Sequence, residues 1–355
     1  MFLIRQATVD DAATLLKLAK MVHFINLPAD PDIINRKIIR SRQSLAGSPP
    51  SEREREFMFV LEETDTGNII GTSSVISCLS WPGRPHVFLK VRERRLYSED
   101  LRTGGVHTTV QLDTDESGPS EIGGLILSPA YRGRKEKLGA FLSVVRFHFI
   151  GLYREWFANR IIAEMMAPLT PDSRNTLWEY LGRRFINLSY AEADRFCQYS
   201  KEFITSLFPK EEMYVSLLPP EARQLIGKVG KETEPAKAML ERLGFRYTGH
   251  VDPFDGGPYL EANLNDVPLV TSTRRAPLVS IAPADATLPH EGMVSMHYES
   301  NFRVLRTRYA EVDGGISISE EDAKMLHADV GEELGVTPRS VVKDAVPAVG
   351  TVAKA

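Results

Sequence analysis

The chain has 355 residues, 43% of them hydrophobic and 25% charged, which suffices for a sizeable core in one large domain plus a small one. A formal charge of −4 gives no reason to expect nucleic acid or an anionic membrane as the main partner. Two cysteines, Cys78 and Cys197, are too few for a disulfide framework and too far apart for a metal-ligand pair. With acidic residues close behind the first short apolar run and no stretch of about 18 apolar residues, the sequence reads as a soluble cytoplasmic protein.

Residues 2–5 predict a short strand, Thr8-Val-Asp-Asp11 an N-cap region, and the following residues a helix with Ala12, Leu15, Leu16 and Ala19 on one face. A second helix is expected over 33–45, then a loop over 47–56 where proline, serine and charge dominate. Residues 57–62 and 69–76 predict a hairpin around Thr-Asp-Thr-Gly-Asn, and 87–97 with 106–112 a second, arginine-rich pair forming an exposed insertion in the sheet. The strand predicted over 121–127 contains Gly123 and Gly124, which a strand tolerates at a bulge or where something approaches its backbone closely.

A charged loop over 129–139 then leads into a helix over 139–157 that is apolar almost all round and therefore buried on several sides. Residues 160–166 read as a buried strand carrying Glu164, and 175–185 as a helix with Leu177, Tyr180 and Leu181 inward. Ala236, Met239, Leu240 and Leu243 recur at helical spacing, Gly244 stands where a left-handed C-cap would end that helix, and an acidic glycine turn spans Asp252 to Gly257. Beyond Asn263, short β-rich pieces at 269–273, 278–281 and 302–309 fit a small β domain, and 341–355 reads as a disordered tail. The expected boundaries are 1–265, 266–340 and 341–355.

The segment from Leu127 to Gly139 joins a strand to a helix, and a helix N-terminus offers unpaired N–H groups and a favourable dipole to a pyrophosphate. Arg132, Arg134, Lys135 and Lys137 would add positive charge for phosphate groups, and the competing reading is a solvated charged loop.

A helix that closes on Leu243-Gly-Phe before a strand resembles the last helix–strand unit of the GNAT acyl-CoA N-acyltransferases. The continuation Phe254-Asp-Gly-Gly-Pro258 resembles, more narrowly, the arginine N-succinyltransferase family, which moves a succinyl group from succinyl-CoA to the α-amino group of arginine. This resemblance, from residue 2 to about 265, implies a GNAT-like α/β (α+β) enzyme with a mixed, largely antiparallel sheet flanked by helices. It implies succinyl-CoA as an acyl-CoA co-substrate, an amino acid as the other small-molecule substrate, no permanently bound cofactor or metal, and a homo- or hetero-oligomer. Arg132, Gly133, Gly139 and Ala140 fall on the family's pyrophosphate loop, although the spacing from Arg132 to Gly139 is longer than the usual pattern. Leu125 matches a position that binds succinyl-CoA, and Leu127 lies beside it, on the strand against which the pantetheine arm lies in GNAT folds.

Direct transfer needs a neutral amine, so a base or a water path must take its proton. The family assigns a proton-donor histidine to the position after Gly227-Lys-Val229, which here is Gly230. Tyr214 and His250 are the substitutes, each with the competing reading of a structural hydrogen bond. A guanidinium acceptor wants carboxylates in planar, bidentate reach, and Glu164, Asp252 and Asp255 match family positions. Turn capping competes as a role for the two aspartates, and a buried ion pair for Glu164. Met21–Pro28 departs from the glycine-rich family segment that borders the acceptor pocket, with His23 read as a packing or surface histidine. Cys197 matches a family cysteine, but nothing near it in sequence would activate it, so it reads as a buried structural thiol. The expected activity is succinylation of arginine by direct attack in a ternary complex. The alternatives are another acceptor or acyl chain, such as ornithine, and a catalytically silent subunit, suggested by Gly230.

Overall fold

In the strand Glu56–Glu63 the first six residues are all buried, which a sheet achieves only when both of its faces are covered. Its alternate residues serve two cores. Phe57, Phe59 and Leu61 pack with Phe141, Val145 and Phe149, whereas Met58 and Val60 pack with Leu15, Leu18, Ile34 and Ile38. The computed structural model describes residues 1–21, 27–169, 175–283 and 285–345; His23 lies outside them.

The strands are β1 (Phe2–Gln6), β2 (Glu56–Glu63), β3 (Asn68–Ile76), β4 (His86–Ser98), β5 (Thr103–Asp115), β6 (Ser120–Leu127), β7 (Arg160–Glu164), β8 (Met213–Tyr214), β9 (Arg246–Val251), β10 (Pro258–Asn263), β11 (Arg274–Ala282), β12 (His290–Tyr298), β13 (Asn301–Val312), β14 (Gly315–Ser319) and β15 (Glu333–Pro338). They form a 15-stranded sheet in the order β12-β15-β11-β14-β13-β1-β2-β3-β6-β7-β10-β9-β4-β5-β8. Among the described residues only β6–β7 and β11–β14 pair in parallel, so the sheet is mixed and largely antiparallel, as expected from the sequence. Helices α1 (Ala12–Met21) and α2 (Pro31–Leu45) cover one face, and α3 (Leu138–Leu152) covers the other.

Several elements differ from the sequence reading. Helix α3 ends at Leu152 instead of reaching Phe157, because Tyr153 leaves helical geometry and stacks on Trp156 at 4.3 Å in a following 3₁₀ turn. Residues 268–271 are a helical turn and not a strand: Pro268 fits the first helical position, and Leu269 and Val270 are buried in the core that α3 shares. Trp178–Gly182 is a π-helical turn, in which the Trp178 ring lies so close over Gly182 that a Cβ there would be 2.2 Å from it.

Strands β11–β15 continue the main sheet through the pairing of β1 with β13, Leu3 opposite Leu305, and carry an apolar core of their own that includes Leu278, Val294, Ile316 and Val336. His148 of α3 ties them down from beneath, its ring nitrogens 2.7 Å from Ser295 Oγ and 2.6 Å from Thr337 Oγ1. The predicted tail begins as a helix, Arg339–Ala345, and residues 346–355 lie outside the described part. No helix among the described residues is long and apolar enough to cross a membrane.

Candidate active site

Strand β6 follows β3 along most of its length but pairs with β7 only from Ser120 to Ile122. The cause is local. The β3–β6 register shifts between Thr72 and Ser74, opposite the glycine pair, and Gly124 has φ +58° with Ser74 Oγ 2.7 Å from where a Cβ would sit. Both readings of the glycines therefore converge, since the bulge bends β6 away from β7 and opens a cavity between them.

That cavity, about 480 Å³, is walled by Gly123–Leu127, by Ala163–Met166 and by Ala236, Met239 and Leu240 of the helix Glu234–Arg242. Its mouth is the loop before α3. Gly133 and Lys137 are left-handed there, at φ +72° and +50°, and no side chain caps the helix, so the N–H groups of its first turn face the mouth beside Gly139 and Ala140. Arg132 spans the opening, donating to Leu127 O (3.2 Å) and Glu232 Oε2 (3.0 Å), and Arg134 lies 4.0 Å over the Tyr131 ring.

A second pocket, about 170 Å³, lies on the far side of Glu164, which lines both. Glu121, Glu56, Asp252, Tyr259, His86 and Cys197 contribute to its wall, together with the cations Arg36, Lys37, Arg40, Arg84 and Lys201. Lys37 is held by Glu56 at 2.6 Å. Tyr259 joins Asp252 to Glu164, donating from its hydroxyl to Asp252 Oδ2 at 3.1 Å and lying 3.4 Å from Glu164 Oε2, and the charge of Lys201 acts on both carboxyls and on Glu121.

The three predicted acceptor carboxylates separate in the structure. Glu164, the last residue of β7, and Asp252 reach the pocket; Asp255 does not. Its Oδ1 accepts from Gly257 N (2.6 Å) and its Oδ2 from Ala167 N (2.9 Å), and it is 0% exposed, so its visible work is to pin the turn against the segment after β7. Asp252 has both roles, since its Oδ1 accepts from the N–H groups of Phe254 and Asp255 while Oδ2 faces the pocket. Tyr214 sits on the outer edge of the sheet beside β5, and His250 packs on Phe88 at 4.2 Å with Nδ1 3.5 Å from Glu261; neither lines either cavity. Gly230 donates its N–H to Met166 O at 2.9 Å, close to the cavity wall at Glu232 and Thr233. Leu125, Leu127, Arg132, Gly133, Gly139 and Ala140 all line the larger cavity.

Burial, reinforced by the charges of Asp252, Asp255 and Glu121, pushes the Glu164 carboxyl well above the usual carboxylate range. Burial also raises Glu121 and Asp252, the latter against the opposing pull of its two backbone N–H donors. Cys197 lines the same pocket, but burial pushes its thiol up to about 12, which leaves too little thiolate for a nucleophile. His86, also buried, is pushed well below its ordinary value.

Sequence reasoning missed Glu121, Tyr259, Lys201 and the cations of α2. Glu121 carried a usable signal, a carboxylate at the head of a strand just before Gly-Gly; Lys201 carried none.

A mixed sheet that opens beside the N-terminus of a buried helix is the architecture of an α/β acyltransferase. A family model described as arginine N-succinyltransferase beta subunit matches residues 2–269, and the chain belongs to this family. It is 36% identical over 285 residues to an arginine N-succinyltransferase of Enterobacter sp. (strain 638), covering 79% of this chain and 81% of that protein. It is 30% identical over 337 residues to one from Escherichia coli (strain 55989 / EAEC), covering 94% and 96%. Among solved structures, arginine/ornithine succinyltransferase subunit AI from Pseudomonas aeruginosa superposes with a TM-score of 0.80 at 23% identity, covering 95% of this chain and 98% of that one, which shows the shared fold.

Proposed function

We propose that the chain transfers the succinyl group of succinyl-CoA to the α-amine of arginine, with Glu164 taking the proton that the amine loses. The observation that carries this reading is the meeting of the two cavities at Glu164, which lines both. Acyl-CoA occupies the larger one: its pyrophosphate lies at the N-terminus of α3 beside Arg132, Gly133, Gly139 and Ala140, and its pantetheine arm runs along the free edge of β6 past Leu125 and Leu127. Arginine occupies the smaller one with its α-amine at Glu164, in a wall that carries both carboxyls suited to its guanidinium and cations suited to its α-carboxylate.

The chemistry then closes without a protein nucleophile. The neutral amine nitrogen attacks the thioester carbonyl carbon, its proton passes to Glu164, the C–S bond breaks, and the same proton passes from Glu164 to the thiolate so that CoA leaves as the thiol. A carboxyl whose affinity for protons is raised by burial is a better base here than an ordinary one. The Glu164–Tyr259–Asp252 group supports an active chain over a silent subunit, because titratable groups stand at the junction although Gly230 replaces a histidine. Ornithine remains the second acceptor reading, since the pocket's charge suits any amino acid with a cationic side chain.

The test is CoA release by the purified chain, with succinyl-CoA against a panel that includes arginine, ornithine and lysine. Arginine-dependent release is expected. Release with no amino acid, or none of them accelerating it, would refute the assignment, and activity appearing only when a homologous subunit is added would establish the silent-subunit reading.

A further inference from the structure

Acyl-carrier binding at the loop does not explain Arg146 in the wall of the larger cavity. It lies seven residues after Gly139 on α3, hence on the same helix face and, at 1.5 Å per residue, about 10 Å deeper. It lines the cavity together with Ala163, Glu164 and Met165, yet is only 3% exposed. Its hydrogen bonds stay within its own helix, from Nε to Ser143 O (3.0 Å) and from Nη2 to Ser143 Oγ (2.5 Å), and among the described residues no carboxylate pairs with it. Burial without a counter-ion lowers its proton affinity, to a pKa of about 9. A guanidinium held this way in an apolar wall is costly unless an anion completes it, and the fork that remains suits a carboxylate.

Resting on the proposed acyl-CoA reading, we propose that Arg146 is the acyl-chain specificity residue, pairing with the free carboxylate at the end of a dicarboxylic acyl group. It selects succinyl-type thioesters against acyl chains of the same length that end in a methyl group. The contact neutralises a charge that the empty protein leaves uncompensated, so the preference comes from the acyl tail and not from CoA.

The experiment is calorimetric titration of the full chain with succinyl-CoA, butyryl-CoA and CoA, for the wild type, Arg146→Met and Arg146→Lys. The wild type is expected to bind succinyl-CoA more tightly than butyryl-CoA. Arg146→Met should weaken succinyl-CoA by roughly ten- to hundredfold, abolish the preference and leave CoA affinity in place. Arg146→Lys, which keeps charge but not the planar fork, should retain part of the preference and serves if the Met variant fails to fold. Equal weakening of all three ligands would assign Arg146 to the pantetheine arm and overturn the proposal, as would a wild type that does not distinguish succinyl from butyryl. Succinyl preference without arginine-dependent CoA release would instead sink the acceptor assignment and leave Arg146 standing.

Discussion

Tyr259 and Glu164 stand directly opposite each other on the antiparallel strands β10 and β7, and the tyrosine hydroxyl lies between Glu164 Oε2 (3.4 Å) and Asp252 Oδ2 (3.1 Å). One O–H can donate to only one of them at a time. The hydroxyl therefore couples two buried carboxyls, and a proton gained by one is felt by the other. Removing it as Tyr259→Phe deletes a donor that stabilises the charged form of Asp252, so the acidic limb of the activity profile should move to higher pH. At neutral pH, kcat/KM for arginine should fall by roughly fivefold, in line with about 1 kcal/mol for one such bond. A pH–rate profile identical to the wild type would remove Tyr259 from the site.

Glu164→Gln tests the base. Loss of a positioned general base costs about 10²- to 10⁴-fold in rate, so kcat should drop by that order while succinyl-CoA binding measured by calorimetry holds. The same variant has a stability signature. Glu164 holds its proton more tightly folded than unfolded, where its ordinary value is 4.5. Its favourable contribution is therefore complete below that value and is lost as pH rises through the elevated folded one. Glutamine does not titrate, so the variant's melting temperature should gain on the wild type between pH 5 and pH 8. A constant difference across that range would show that Glu164 is not buried as a neutral acid.

Strand β2 was legible as an apolar run that ends at the turn Thr-Asp-Thr-Gly-Asn, and the helix ending at Gly244 because its side chains obey a local period. The glycine pair in β6 was legible as an anomaly but not as a cleft, because splaying depends on how β3 and β7 flank it. The acceptor site was harder. Glu121, Glu164 and Asp252 come from separate segments and meet through the sheet order β6-β7-β10-β9, while Cys197 and Lys201 reach the pocket from one helical stretch outside the sheet, and no spacing encodes either. Asp255 shows the converse. A motif match put it in the pocket, whereas the fold commits both of its oxygens to backbone N–H groups.

Gly139 gives a test of the loop. Its Cβ would meet only Leu127 Cδ2, at 3.6 Å, so a side chain fits the fold and projects toward the cavity wall. Gly139→Leu should unfold at the wild-type temperature or slightly above it, because Gly costs a helix about 1 kcal/mol relative to better formers. Its CoA affinity should fall at least tenfold. Unchanged affinity in a folded variant would move the pyrophosphate away from the start of α3.

The paired substitutions Asp252→Asn and Asp255→Asn separate substrate binding from turn architecture. Asparagine at 255 can offer only one oxygen where two backbone donors, Gly257 N and Ala167 N, now point, and its NH₂ would face the other N–H. An unsatisfied buried donor costs about 1 to 3 kcal/mol, so Asp255→Asn should lower the unfolding midpoint markedly. The arginine KM of the folded fraction should change little. At 252 the geometry is different. Asparagine can keep its Oδ1 toward Phe254 N and Asp255 N and place its NH₂ toward Tyr259, whose hydroxyl can turn to accept. What is lost there is charge facing the pocket, so Asp252→Asn should stay near wild-type stability and raise the arginine KM by roughly ten- to hundredfold, the loss of one charge-assisted contact. If the two variants exchange these signatures, with Asp255→Asn raising KM and Asp252→Asn melting early, the acceptor pocket is centred on the turn and not at the end of β7.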